Sequence, residues 1–65
     1  MPSTVIAASD YDAFTSTLRI IFVSGMIYYY ENVPEEVYLA FKRSGSKGIY
    51  FNRHIKDRYP FKKIK

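Results

Sequence analysis

Asn52, Arg53, His54, Lys56 and Arg58 fall within seven consecutive residues, between Tyr50 and Tyr59. Arg and Lys supply charge-assisted contacts to phosphate oxygens. Tyr and His offer flat rings for base stacking, worth about 1–3 kcal/mol per base. Asn52 adds an amide that both donates and accepts at a polar edge. Together these residue types describe a surface for RNA or another nucleotide-type anion. Each residue also has a structural reading. Tyr50 and Tyr59 fit a core, Arg58 fits an ion pair with Asp57 or a helix carboxylate, and His54 fits a cap on a carbonyl near a helix end. The basic residues also fit a solvated helix face.

Other chemistry is sparse. His54 is the single histidine and cysteine is absent. That removes disulfides, thiolate metal sites and Cys nucleophiles, and it fits a reducing, cytoplasmic setting. No G-x-S-x-G nucleophile elbow occurs. Glu35 and Glu36 read as partners of a helix N-terminal dipole rather than as a general acid and base. Gly45-x-x-Gly48 is too short a pattern for a phosphate loop. No spacing of His54 with carboxylates supports a metal site. We expect no catalytic residues, no metal and no cofactor, hence a non-enzymatic protein. No stretch approaches the ~18 apolar residues of a membrane span. The start, Met1-Pro2-Ser3-Thr4-Val5-Ile6-Ala7-Ala8-Ser9-Asp10, lacks the basic region and apolar run of a signal peptide.

Charge is divided along the chain. Residues 1–41 carry Arg19 against Asp10, Asp12, Glu31, Glu35 and Glu36, a net −4. Residues 42–65 carry nine bases (Lys42, Arg43, Lys47, Arg53, Lys56, Arg58, Lys62, Lys63, Lys65) against Asp57, a net +8. A basic half of this kind is an electrostatic footprint for polyanions. With 65 residues, 48% hydrophobic and 25% charged, the chain is one globular domain, residues 1–65, ending in a basic tail at 62–65. Folding at this size buries only about 60% of the unfolded surface, which leaves no room for a deep, dry catalytic cleft. Aromatics reach 18%, as seven Tyr and five Phe without Trp. Part of that excess is expected to fill a small core.

These groups must be held by regular elements. Residues 5–11 read as a first strand, followed by a turn over 12–16. Thr17 to Phe22 alternates, with Leu18, Ile20 and Phe22 on one face and Thr17, Arg19 and Ile21 on the other. After Val23-Ser24-Gly25 a third strand runs through Met26-Ile27-Tyr28-Tyr29-Tyr30. A two-residue Ser24-Gly25 turn pairs Phe22 with Ile27 and Ile20 with Tyr29. A three-residue loop with left-handed Gly25 pairs Phe22 with Met26, Ile20 with Tyr28 and Leu18 with Tyr30. We prefer the second, because Ser24 is a poor first residue for a type I′ turn. It places Tyr28 and Tyr30 toward the core, and Arg19, Ile21, Ile27 and Tyr29 together on an outer face fit for self-association. A helix is expected from Pro34, with Val37, Leu39, Ala40 and Phe41 as its buried stripe and Lys42 and Arg43 at its C-terminus. Ser44-Gly45 ends it. Ser46 is placed to cap a second helix over about 47–56, anchored by Phe51 and Ile55. Asp57-Arg58-Tyr59-Pro60 is extended, since a residue before proline avoids the helix. Phe61 and Ile64 of the tail are positioned to dock. The order is β-β-β-α-α: an α+β domain, a three-stranded antiparallel meander followed by two short helices packed on one face.

Three stretches together resemble the KTSC domain, a small domain named after the C-terminal region of some lysyl-tRNA synthetases and also found as a stand-alone bacterial protein. They are Tyr28-Tyr29-Tyr30, which fits the family's YxY; Val33-Pro34-Glu35-Glu36-Val37-Tyr38; and residues 46–61, from Ser46-Lys47-Gly48-Ile49-Tyr50-Phe51 through Asp57-Arg58-Tyr59-Pro60-Phe61. Tyr29 departs from the polar residue usual at the middle of YxY. The resemblance implies the fold and adds weight to RNA binding, while supplying no catalytic residue. Three function classes follow. The first is a binding module for RNA or a nucleotide-type anion. The second is a small homo-oligomer holding a phosphorylated small molecule between subunits. The third is a protein-interaction module using Arg19, Ile21, Ile27 and Tyr29.

Overall fold

Gly25 sits at φ +94°, and its N–H donates to the Phe22 carbonyl at 2.9 Å, closing the expected three-residue loop. Few residues other than glycine adopt that backbone without strain. The computed structural model describes residues 6–65, so Val5, expected in the first strand, lies outside the described residues. The elements are β1 (Ile6–Asp12), β2 (Thr17–Phe22), β3 (Ile27–Tyr30), α1 (Glu35–Arg43), α2 (Lys47–His54) and β4 (Phe61–Lys63).

The sheet is antiparallel with order β1-β2-β3-β4. Leu18 pairs with Tyr30, Arg19 with Tyr29, Ile20 with Tyr28 and Ile21 with Ile27, the register of the three-residue loop. Leu18 and Ile20 are fully buried and Tyr30 nearly so, whereas Arg19, Ile21, Ile27 and Tyr29 on the opposite face are half-buried. Residues 61–65 differ from the expected tail. Phe61 pairs with Tyr30, Lys62 with Tyr29 and Lys63 with Tyr28, and Ile27 exchanges further backbone hydrogen bonds with Ile64 and Lys65. Phe-Lys-Lys carries no alternation of its own. The edge of β3, more than thirty residues earlier, supplies the pairing.

Both helices begin where the reading put them, with changes in detail. Pro34 is the N-cap of α1 rather than its first helical residue, and its carbonyl accepts from the N–H of Val37 and of Tyr38. Glu35 and Glu36 occupy the first turn, and Lys42 and Arg43 the last. Phe41 is buried and Val37, Tyr38 and Ala40 are half-buried. Leu39 is not part of the stripe: it is 46% exposed, because 100° per residue carries it to the side opposite Phe41 and Tyr38 faces the sheet instead. Tyr38 stacks on Tyr11 at 4.9 Å, and the Tyr11 hydroxyl donates to the Val33 carbonyl at 2.6 Å. Ser46 stands at the N-cap of α2, but its hydroxyl caps nothing and is buried without a partner. Ser44 Oγ accepts from the Ser46 N–H at 3.1 Å and donates to the Ser46 carbonyl at 2.9 Å, holding the inter-helix corner. The second helix ends at His54, two residues earlier than expected.

Leu18, Ile20, Tyr30, Val33, Phe41, Phe51 and Ile55 form the core. Phe51→Ala is expected to cost about 3–5 kcal/mol, the range for a buried aromatic, whereas Leu39→Ala stays within about 0.5 kcal/mol. Urea unfolding followed by circular dichroism checks both. An unchanged midpoint for Phe51→Ala would remove the helix-to-sheet anchor assigned to Phe51.

Candidate nucleotide-binding cleft

The inner face of β3 carries two tyrosines two residues apart, and the pairing of β4 adds Phe61 beside them. Tyr28 and Tyr30 lie nearly parallel, at 6.3 Å and 18°. The Phe61 ring leans across both, at 5.3 Å from Tyr28 and 5.4 Å from Tyr30. Phe51 arrives from α2 edge-on to Tyr30 at 5.3 Å and to Phe22 at 5.7 Å. Phe22 in turn meets Tyr28 edge-on at 5.4 Å. Such edge-to-face and offset pairs hold aromatic walls more firmly than burial alone.

These five rings wall a cleft of about 550 Å³ between the end of the β2–β3 hairpin and α2. Its rim carries Asn52, Lys56 and Asp57. Asn52 stands in the last turn of α2 and Lys56 in the turn that follows it, where the Lys56 N–H donates to the Phe51 carbonyl at 2.9 Å; each comes one position after a buried residue, Phe51 and Ile55. Lys63, directly opposite Tyr28 in the sheet, points to the same face as that tyrosine. Lys62 points to the other face, where its ammonium lies 3.4 Å from Glu31. Burial, then the charges of Tyr28 and Asp57, push the Tyr30 hydroxyl up to about 12. Tyr30 therefore stays neutral at physiological pH and is available as a hydrogen-bond donor.

The other sequence-predicted residues are distributed around α2. Tyr50 and His54, also four apart, have ring centroids 4.5 Å apart, and Tyr50 leans on Phe41 at 6.2 Å. His54 is exposed and, among the described residues, its side chain makes no hydrogen bond, so the carbonyl-capping reading does not hold. Tyr59 is half-buried against the core, as its structural reading had it. Arg53 and Arg58 are exposed and do not line the cleft. Among the described residues, Arg58 pairs with neither Asp57 nor a helix carboxylate. Phe22, Tyr28, Tyr30, Phe61 and Asp57 escaped the reading as site residues. For Tyr28 and Tyr30 the alternation favours a core role over ligand stacking, and Phe61 joins them only through the pairing of β4.

A second depression, of about 570 Å³, lies on the outer face and is lined by Asp10, Asp12, Arg19, Tyr29, Glu31 and others. Arg19 donates to Asp10, its cross-strand partner in β1, and stands opposite Tyr29 in β3. The hydrogen bond to Asp10, then the charge of Asp10, raises the guanidinium above its ordinary value. Asp10, Asp12 and Glu31 here stand against Arg19, which is committed to Asp10, and Lys62, 3.4 Å from Glu31, so the depression is acidic by one charge. Among the described residues, no group of three or more His, Cys, Asp or Glu side chains is placed to hold a metal, and no helix is long and apolar enough to cross a membrane.

Comparisons with known proteins agree on the family. The KTSC domain pattern matches residues 2–59. The lysine–tRNA ligase of Nostoc punctiforme is 38% identical over 60 residues, which cover 92% of this chain and 11% of that protein. The lysine–tRNA ligase of a second Nostoc strain is 37% identical over 59 residues, covering 91% of this chain and 10% of that protein. The chain thus spans about a tenth of the length of these curated relatives. The crystal structure of a KTSC domain protein from Yersinia pestis matches with a TM-score of 0.87 and 32% identity, over 100% of this chain and 94% of that one.

The raised Tyr30 makes a pH prediction. Its ordinary value is 10.0 and its folded value about 12, so the neutral hydroxyl favours the fold fully below pH 10. That contribution is lost as pH rises from 10 through 12. Tyr30→Phe, which has no hydroxyl to ionise, is expected to lose less stability than wild type across this window. Urea midpoints at several alkaline pH values check it. Parallel losses in both proteins would show that Tyr30 does not titrate late.

Proposed function

The chain belongs to the KTSC domain family, and from that premise we propose that it is a non-enzymatic module binding single-stranded RNA through the inner cleft. The observation that carries the reading is the meeting of five aromatic rings with Asn52 and Lys56 at one opening, with Lys63 opposite Tyr28 on the same face of the sheet. Single-stranded binding sites combine stacking faces with cations that track the phosphates. The stacking faces in this reading are Tyr28 and Phe61, the latter 54% exposed and ready to receive a base. Tyr50 and Tyr59 are left to packing. Arg53 and Arg58 lie beyond the cleft and extend the positive field along the backbone path. The likeness of the chain to a segment of proteins whose name specifies a tRNA supports an RNA ligand over a free nucleotide.

Fluorescence anisotropy with a short labelled RNA strand at several salt concentrations tests the proposal. If about four phosphates are engaged, log K against log[salt] falls with a slope of roughly −3. Lys56→Ala with Lys63→Ala is expected to flatten the slope by about one to two units. Lys62→Ala, on the opposite face, is expected to leave it nearly unchanged. Phe61→Ala should lower affinity with little change in slope, since stacking releases no counterions. Absence of binding at low salt would sink the RNA reading. Equal competition by free mononucleotides would move it to the small-molecule class.

A further inference from the structure

Asp57 is out of place in an anion-binding surface. It is the single acid among residues 42–65, where nine bases surround it. It nonetheless stands on the rim of the cleft, beside Lys56. Among the described residues the ion pairs join Asp10 to Arg19 and Glu31 to Lys62, so the Asp57 carboxylate is not consumed by a neighbouring base. Asp57 is exposed, so it is not part of the packing. For phosphate contact alone it is a liability, because it repels the backbone that Lys56 attracts. A carboxylate at this place serves a ligand that brings hydrogen-bond donors to it.

We propose that Asp57 reads the donor edge of an unstacked base held in the cleft, giving the module a preference for guanine. The inference rests on the RNA-binding reading above and specifies its base. An ionised carboxylate accepts through two oxygens and donates nothing. Guanine presents two donors side by side on its Watson–Crick edge, the ring N1–H and the exocyclic amine, which match those two oxygens. Cytosine and adenine present one exocyclic amine next to a ring-nitrogen acceptor. Uracil presents its ring N–H between two carbonyl oxygens, which face the carboxylate with like partial charge. Single-stranded bases are read on these edges while their faces stack. Here the stacking comes from Tyr28 and Phe61, the phosphate contact from Lys56 and Lys63, and the discrimination from Asp57. Attraction for one edge and repulsion of another together make the preference.

The test is anisotropy of labelled UUGUU, UUAUU, UUCUU and UUUUU at one low salt concentration. The expected result is UUGUU tightest, by about tenfold over UUUUU, as for one bidentate contact. The adenine strand separates edge reading from stacking, since both purines stack well. Asp57→Asn replaces one acceptor with a donor and is expected to bring guanine and uracil within about twofold, while binding itself persists. Asp57→Ala serves as the second variant and is expected to do the same. Circular dichroism confirms that each variant is folded. Equal binding of UUGUU and UUAUU, or a guanine preference that survives both substitutions, would overturn the role of Asp57 and leave RNA binding standing. Absence of binding to all four strands would overturn the RNA reading and this inference with it.

Discussion

The register of β2 against β3 is the constraint on which the rest of the molecule depends. Side chains in a strand alternate with period two, so a slip of one residue would exchange the faces. Gly25 closes the loop that prevents this slip. With it in place Leu18, Ile20, Tyr28 and Tyr30 meet under the helices, and Arg19 and Tyr29 stay outside with Asp10. Among the described residues the core has seven buried hydrophobic residues, and exchanging the faces of these two strands would remove Leu18, Ile20 and Tyr30 from it. The same register exposes the edge of β3 that receives β4, and through β4 it brings Phe61 to the cleft.

The second helix ties the core to the cleft in a direct way. Phe51 and Ile55 turn inward, and the next residue after each, Asn52 and Lys56, emerges at the cleft rim. Phe51 is both core and wall: it is 3% exposed, yet its ring edges meet Phe22 and Tyr30 at the base of the cleft. A rotation of this helix that moved Asn52 at the rim would also move Phe51 in the core.

The meander, the hairpin register, both helices and the Phe51–Ile55 anchor were legible in the sequence because each is written locally. They rest on alternation, a glycine at a turn, a proline before two acids, and apolar residues four apart. What was not legible is non-local. Residues 61–63 have the composition of a tail, and only the free edge of β3 makes them a strand. Leu39 was placed inside by hydrophobicity, although the sheet takes Tyr38 in its stead through the stack on Tyr11. The run from Asn52 to Arg58 reads as one cluster along the chain. Helical rotation sends Asn52 to the cleft, His54 to Tyr50 and Arg53 elsewhere, and the turn after the helix brings Lys56 back beside Asn52. Charge along a sequence shows that a basic surface exists, but the helix decides which of its members share an opening.

The composition of β4 has a further consequence for how copies of this chain tolerate one another. An open sheet ends in backbone groups that can pair with any other extended chain, and a protein this rich in tyrosine and phenylalanine is prone to such stacking into fibrils. Of the two borders here, β1 and β4, the one formed by β4 is three residues long, two of them lysines, and all three are solvent-exposed. Two such borders brought together oppose like charges across the new ladder before any hydrogen bond forms. The last strand thus completes the sheet on this side and makes its own border a poor template for polymerisation, a protection that weakens as salt screens the lysines.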